Sequence, residues 1–385
     1  MSRNAALHYC DYNAGAPLRP QALEAMTRAL AEGGNPSSIH RIGRRAKAQL
    51  EASRERIAAA IGARVQDVTF VSGATEGLHL ALAGARSAAP DLRLIVSAIE
   101  HDALAEGARA LWPAVETAPV DAHGVIDLAA LERMLADGPP ALVCVMAANN
   151  ETGAIQPIAH AARLAHAARG LLLVDAAQAL GRIPIDMMAD GADYLVVSSH
   201  KIGGPPGMGA LALTPGAAFK PPRAGGGQER GVRPGTENLA GAVGFAAACE
   251  AALAEADGER LAALRDDFER RLRALDPEVA IFAARAPRLA NTSAFALPGL
   301  AAETTLIALD LAGIAVSSGA ACSSGKVRAS RVLRAMDVGP ARAACALRVS
   351  FGWASSARDV DALIDALGRI VERARAPMRR EGSLG

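Results

Sequence analysis

The chain has 385 residues, of which 51% are hydrophobic and 21% charged, with a formal net charge of +1. That length and apolar share can fill a large core and favour two domains over one. The near-zero charge offers no electrostatic handle for nucleic acid or an anionic membrane surface, so neither is expected as a partner.

The cysteines Cys10, Cys144, Cys249, Cys322 and Cys345 are scattered and form no CxxC pair. This argues against a disulfide framework or a zinc site, and no metal is expected. The first residues, Met1 to Leu7, lack the apolar core of a signal peptide. No stretch of about 20 uninterrupted apolar residues offers a membrane span. The expectation is a soluble, cytoplasmic protein.

From 68 to 213, short apolar runs alternate with longer stretches rich in alanine and leucine. Strands are expected at 68–71, 92–97, 141–147, 171–174, 194–197 and 209–213, and helical spacing marks 78–86, 128–135 and 158–168. Continuous apolar strands joined by helices predict an α/β fold with a mainly parallel sheet covered on both faces. Residues 220–235, rich in Gly, Pro and Arg, read as one long loop, a feature that in a compact domain is usually functional or disordered. Residues 239–275 read as one long helical connector. Beyond it, shorter strands are expected at 292–296, 315–317 and 347–350. The domains expected are a large one over 15–257, a smaller α+β one built from 1–14 and 258–375, and a flexible tail at 376–385.

In such sheets ligands gather beyond the carboxyl ends of the strands. Ser72-Gly73-Ala74-Thr75-Glu76-Gly77 follows the first strand; its small residues let N–H groups cradle an anion, or simply cap a helix. Glu100-His101-Asp102 follows the second. His101 can lie against a planar ring, move a proton near neutral pH, or be structural. Asn149-Asn150-Glu151-Thr152-Gly153 follows the third, with amides for a ring substituent or a substrate, or for an Asn-rich turn. Asp175-Ala176-Ala177-Gln178 follows the fourth. An aspartate there is costly without a partner. A pyridine nitrogen would serve; so would magnesium, although no second carboxylate stands beside Asp175. Ser198-Ser199-His200-Lys201 follows the fifth and leads into a glycine- and proline-rich loop. An amine held there can bond to an aldehyde cofactor, or be a solvated lysine on a tight turn. Each signal alone is weak. Their convergence at one sheet edge fits pyridoxal 5′-phosphate, and no GxGxxG dinucleotide fingerprint follows the first strand.

Further motifs join these: Gly34-Asn35-Pro36-Ser37-Ser38-Ile39-His40, Gly225-Gly226-Gly227-Gln228-Glu229-Arg230-Gly231, Arg233-Pro234-Gly235-Thr236-Glu237-Asn238, Ser317-Ser318-Gly319-Ala320-Ala321-Cys322-Ser323-Ser324 and Leu347-Arg348-Val349-Ser350. By all of them, in order and over nearly its whole length, the chain resembles the class V aminotransferase-like pyridoxal phosphate enzymes. Within these it resembles the cysteine desulfurases of nitrogenase and iron–sulfur-cluster type. The resemblance implies a fold-type I transferase, with a large domain and a smaller α+β domain carrying Cys322 and Arg348.

It also implies residue roles. Lys201 carries the cofactor covalently, Asp175 pairs with the pyridine nitrogen, and His101 stacks on the ring and moves protons. Asn150 and Gln178 contact the ring oxygen or the substrate. Ala74 (through its backbone), Thr75, Ser198 and His200 hold the phosphate, with Ser199 in the same turn. Thr236 reaches the phosphate of a neighbouring subunit in a homodimer. Arg348 grips the carboxylate of L-cysteine with help from Asn35. Cys322 takes the sulfur as a persulfide, leaving L-alanine, and hands it to an acceptor such as an iron–sulfur scaffold protein. The small residues around Cys322 predict a mobile loop and an accessible thiol, whereas Cys144 and Cys249 lie in apolar runs that predict buried packing. The chain departs from the family pattern in two places: Asp11-Tyr12-Asn13-Ala14-Gly15-Ala16-Pro17 lacks a pair of threonines, and 325–330 lacks a Glu-Pro. A selenocysteine lyase or aminotransferase on the same scaffold, or a non-catalytic partner protein, are the alternatives.

Overall fold

The structure, a computed structural model, describes residues 7–318 and 330–381, with side chains described as far as 374. The chain enters through a two-residue strand, β1 (His8–Tyr9), which pairs in parallel with Ile314–Ala315. Two helices follow. α1 (Pro20–Glu32) opens with a proline, whose missing N–H would have had no helical partner there. α2 (Arg41–Ala60) is capped by His40, whose side chain accepts the Gly43 N–H.

The central sheet comprises β2 (Val68–Val71), β3 (Arg93–Ser97), β4 (Glu116–Ala118), β5 (Ala141–Met146), β6 (Leu171–Asp175), β7 (Tyr194–Ser198) and β8 (Gly209–Leu213). Its order is β2-β8-β7-β6-β5-β3-β4, and β8 alone among them runs against the rest. The connections are α3 (Ala74–Ala88), α4 (Asp102–Leu111), α5 (Leu128–Ala136), α6 (Ile158–Ala167) and the short α7 (Met187–Asp190). Every residue of β5 is buried. Val143 and Val145 join the apolar cluster on one face, while Leu142 and Cys144 join the cluster on the other. That two-residue alternation, apolar on both sides, is why a strand here reads as an unbroken hydrophobic run. The expected α/β architecture with a mainly parallel sheet is the observed one.

The expected single helical stretch over 239–275 is two helices, α8 (Leu239–Glu255) and α9 (Gly258–Leu275), bent by 73°. Ala256 between them adopts a left-handed conformation, φ 44°, which ends a helix as glycine usually does. α8 is rich in Gly and Ala and packs on α1 and α2; a Cβ on Gly244 would stand 2.4 Å from Met26.

The remaining strands are β9 (Ala280–Ile281), β10 (Thr292–Ala296), β11 (Ile314–Ala315), β12 (Ser317–Ser318) and β13 (Ala346–Ser350). They are accompanied by α10 (Ala302–Leu311), α11 (Arg331–Ala335), α12 (Pro340–Ala343) and α13 (Ala357–Glu381). A second, antiparallel sheet runs β12-β13-β10-β9. Phe268 stacks edge-on to Phe295 and Phe351 at its core. β1 and β11 form a two-stranded sheet of their own, and the bridge from Asp11 to Ser350 of β13 ties residues 8–11 to the second sheet before the chain crosses to the first.

Candidate active site

The carboxyl ends of β2, β6 and β7 open into a cavity of about 700 Å³, closed on the far side by Leu306, Val316, Ser317, Ser318 and Arg348. At one end β2 gives way to Ser72 and Gly73, and α3 begins at Ala74. Unbonded N–H groups at a helix start attract an anion. The Ser72 N–H is already taken by Glu76, at 2.6 Å. β8 keeps the turn tight: a Cβ on Gly209 would lie 2.7 Å from the Val197 carbonyl and 2.9 Å from Gly73 Cα. Ser198 and His200 face the same end, with Ser198 Oγ 2.9 Å from His200 Nδ1. Burial, then the Lys201 and Arg182 charges, push His200 down to about 4, so it is neutral at physiological pH.

In the middle of the cavity stand His101, Asp175 and Lys201. His101 caps α4: its Nδ1 accepts the Ala103 N–H at 3.1 Å, which puts the proton of the neutral ring on Nε2. Desolvation lowers its proton affinity first; the Asp175 charge opposes this and Lys201 reinforces it. Asp175 is 5% exposed and accepts the Ala177 N–H at 2.9 Å. Burial raises its proton affinity, and no cation forms an ion pair with it among the described residues. The Lys201 Nζ donates to the carbonyls of Asn13 (2.8 Å) and Ala14 (2.9 Å). Burial, then Arg182, then Arg348 push this amine down to about 8, against the opposing pull of Asp175 and Asp11.

Arg348 comes in from β13. Its Nη2 donates to Asp11 at 2.6 Å and its Nη1 to the Asn150 carbonyl at 2.9 Å, while Nε is buried with no partner among the described residues. Asn149 shapes the turn that presents Asn150, its Oδ1 accepting the N–H groups of Glu151 and Thr152. Asn13, 1% exposed, is the hub. Its carbonyl accepts Lys201 and Gln178, its Oδ1 accepts Arg182 and Asn291, and its Nδ2 donates to Thr292 and the Asn150 carbonyl.

A lysine amine, a buried aspartate and an arginine stand around an anion cradle, and comparison with known proteins shows the family they belong to. The sequence profile of class-V aminotransferases matches residues 8–363. The chain is 41% identical to a cysteine desulfurase of Cereibacter sphaeroides, over 96% of each chain. It is 38% identical to the cysteine desulfurase IscS of Dictyoglomus turgidum, over 97% of each. Its fold matches the X-ray structure of a NifS-like protein from Rickettsia africae with a TM-score of 0.88 and 33% identity, covering 95% of this chain and all of that one.

The chain belongs to the class-V aminotransferases, among the cysteine desulfurases.

This family uses pyridoxal 5′-phosphate, and the residues present fit that cofactor. The turn at Gly73–Thr75, with Ser198 and His200, suits its phosphate. Asp175, buried with no cation paired to it among the described residues, suits its protonated ring nitrogen. Lys201, its amine shifted toward neutrality, suits its aldehyde. Not every expected residue reaches the site. Ser199 does not line the cavity: it is fully buried, and its Oγ lies 2.2 Å from where a Cβ on Gly204 would be. The 3-10 turn at Ser199–Lys201 rotates it away from its neighbours. Asn35 is likewise outside; it is exposed and its Oδ1 accepts the Ser37 N–H at 2.9 Å. Thr236 is exposed and does not line this chain's cavity. Cys322 lies outside the described residues. The four described cysteines are all buried, and burial pushes the thiols of Cys10 and Cys249 up to about 12.

Sequence reasoning missed Asp11, Asn13 and Arg182. The only early signal was the departure from the family pattern at 11–17.

Proposed function

We propose that the chain converts L-cysteine to L-alanine and passes the sulfur to Cys322 as a persulfide, working as a pyridoxal 5′-phosphate-dependent desulfurase. The observation that carries this reading is a single cavity where the Lys201 amine, the Asp175 carboxylate and the Arg348 guanidinium converge beside the Gly73–Thr75 turn. Ala74, Thr75, Ser198 and His200 hold the phosphate, and His101 lies against the ring. Asn150 and Gln178 stand on the ring-oxygen side. When bound, the cofactor supplies an electron sink for the charge left at the substrate Cα. Asp175 keeps the ring nitrogen protonated. Lys201 anchors the cofactor and, once released by substrate, takes the Cα proton as a neutral amine. Arg348 receives the substrate carboxylate through a planar fork that a lysine cannot copy. The Cys322 thiolate attacks the substrate sulfur: an S–S bond forms, the substrate Cβ–S bond breaks with its electron pair left on carbon, and a proton delivered to Cβ together with one returned to Cα by Lys201 yields L-alanine.

The flanks of the 319–329 segment support the role of Cys322. Before it, Ser317 pairs with Arg348 and both Ser317 and Ser318 line the cavity. After it, Ser330 caps α11 and donates to Glu151 at 2.5 Å, beside Asn150. The described residues on either side of the segment thus lie at the cavity wall, in Ser318, and next to the Asn150 turn, in Ser330.

In this reading the working unit is a cytoplasmic homodimer in which Thr236 serves the neighbouring phosphate, and the acceptor is a protein such as an iron–sulfur scaffold. The dimer is supported by the cradle itself. Ser72, Thr75 and Glu76 line the main cavity and also a second hollow of about 760 Å³, so the phosphate end is open on one side.

The test is direct. The chain incubated with L-cysteine forms alanine and protein-bound sulfur in equal amounts. Cys322→Ala keeps the cofactor and its spectral response to cysteine but loses alanine formation by about a hundredfold or more, as when a nucleophile is removed. Undiminished sulfide release from that variant would falsify the nucleophile assignment.

A further inference from the structure

Arg182, in the turn beyond β6, has no task in the chemistry above, yet it touches the site's framework from behind. Its Nη1 donates to Asn13 Oδ1 at 2.8 Å and to Gln178 Oε1; its Nη2 donates to the Lys201 carbonyl at 3.1 Å and the Tyr12 carbonyl at 3.3 Å. All four acceptors are neutral oxygens. Among the described residues no carboxylate lies in ion-pair contact with it, and the charges that face it most closely, Lys201 and Arg348, are cations. A half-buried guanidinium with this many bonds often has a carboxylate among its partners. This one meets the backbone of a reactive lysine.

We propose that Arg182 is a positioning residue for the Lys201 amine, clamping its main chain and its Asn13 acceptor. The inference rests on Lys201 being the cofactor's anchor. The clamp works through one short circuit of bonds. Arg182 holds Gln178 Oε1, Gln178 Nε2 donates to the Asn13 carbonyl at 2.9 Å, and the same carbonyl accepts Lys201 Nζ at 2.8 Å. The geometry leaves Gln178 as a strut, with both ends of its amide already engaged.

The electrostatics act in the same direction. The groups around the amine are Arg182, Arg348 from β13, Asp175 from β6, Asp11 after β1, and the rings of His101 and His200. After burial, Arg182 is the strongest influence pushing the amine down to about 8. Arg182 is itself drawn down by burial to about 9, so it remains a cation at neutral pH. A lowered amine becomes neutral as pH rises through about 8. Without the neighbouring charge that transition moves up, toward the ordinary ammonium range, and the neutral fraction at pH 7 falls about tenfold for each unit moved.

The experiment follows cofactor uptake by the full-length chain, stripped and then mixed with pyridoxal 5′-phosphate, by visible absorbance across pH. In Arg182→Met the rising limb moves up by about one unit and uptake at pH 7 slows about tenfold. Arg182→Lys, which keeps the charge but not the fork, keeps the limb and releases the cofactor several-fold faster, at about the cost of a lost hydrogen bond. If Arg182→Met does not fold, Arg182→Gln replaces it with the same expectation. Borohydride reduction separates the two layers of the argument. A covalent adduct in Lys201→Ala overturns the anchor assignment and this proposal with it. A blank Lys201→Ala beside a wild-type limb in the neutral Arg182 variant, or equal shifts in the lysine and neutral variants, overturns the proposal alone.

Discussion

Asp175 and Glu100 are two buried carboxylates with opposite demands. Glu100 is 1% exposed, accepts the Met146 N–H at 2.6 Å through Oε1, and has no partner for Oε2 among the described residues. Burial, and then Asp175, hold its proton affinity well above the carboxylate range. Two carboxylates that feel one another do not both ionise readily in such surroundings. Glu100 keeps the proton, which leaves the charge to Asp175, where a ring nitrogen can use it. The two substitutions therefore separate. Glu100→Gln is nearly silent in alanine formation, because a protonated acid and an amide present the same acceptor to Met146. Asp175→Asn lowers alanine formation by about a hundredfold or more, the scale of losing one preorganised electrostatic partner. Equal losses in the two variants would show that the charge sits elsewhere. Asp175, Lys201 and His101 were legible in the sequence because each stands at, or a few residues beyond, the end of an apolar strand. Asn13, Asp11 and Arg182 were not. The first two follow a two-residue strand with no apolar run, and their neighbours at the site lie more than a hundred residues away in the chain.

At the scale of elements, the phosphate end depends on a strand that runs the wrong way. β8 lies between β2 and β7, and its first residue, Gly209, pairs with Val71 on one side and Ser198 on the other. It thus stands between the two turns that form the cradle. Nothing larger than hydrogen fits toward Gly73. Gly209→Ala forces that backbone aside, and overpacking of this kind costs about 1–3 kcal/mol. The expected result is a lowered melting temperature and at least a tenfold weaker hold on pyridoxal 5′-phosphate, about 1.4 kcal/mol. Pyridoxal lacking the phosphate should lose much less. An equal loss for both ligands would mean that the cradle does not hold the phosphate. The strands of the large sheet were legible as apolar runs, with one exception. β4, at the sheet edge, is the short Glu116–Ala118 with no such run. The break between α8 and α9 was hidden for a different reason. Its left-handed residue is Ala256, which carries none of the sequence mark of a glycine at a helix end.

At the scale of the whole molecule, the 225–238 loop is held against the outer edge of the sheet, not over the cavity of its own chain. Glu229 does this: its carboxylate takes Arg54 through both oxygens, at 2.6 and 2.9 Å, and the Phe70 N–H of β2 at 2.8 Å. Glu229 and Arg230 both sit in the left-handed region, φ 47° and 56°, a strained geometry that the buried ion pair maintains. A loop pinned this way leaves Thr236 exposed and outside the cavity of its own chain. If Thr236 completes the neighbouring phosphate site, two crippled proteins can repair each other. Lys201→Ala lacks the anchor in both sites of its homodimer, and Thr236→Val lacks the hydroxyl in both sites of its own. In a mixed dimer, one site combines both defects. The other has an intact Lys201 from the Thr236→Val protomer and an intact Thr236 from the Lys201→Ala protomer. Co-refolded mixtures should therefore contain sites with wild-type cofactor affinity that neither parent has, in proportion to the mixed dimers formed. If Thr236 served its own chain, or the chain worked alone, mixing would yield only the sum of the two parents.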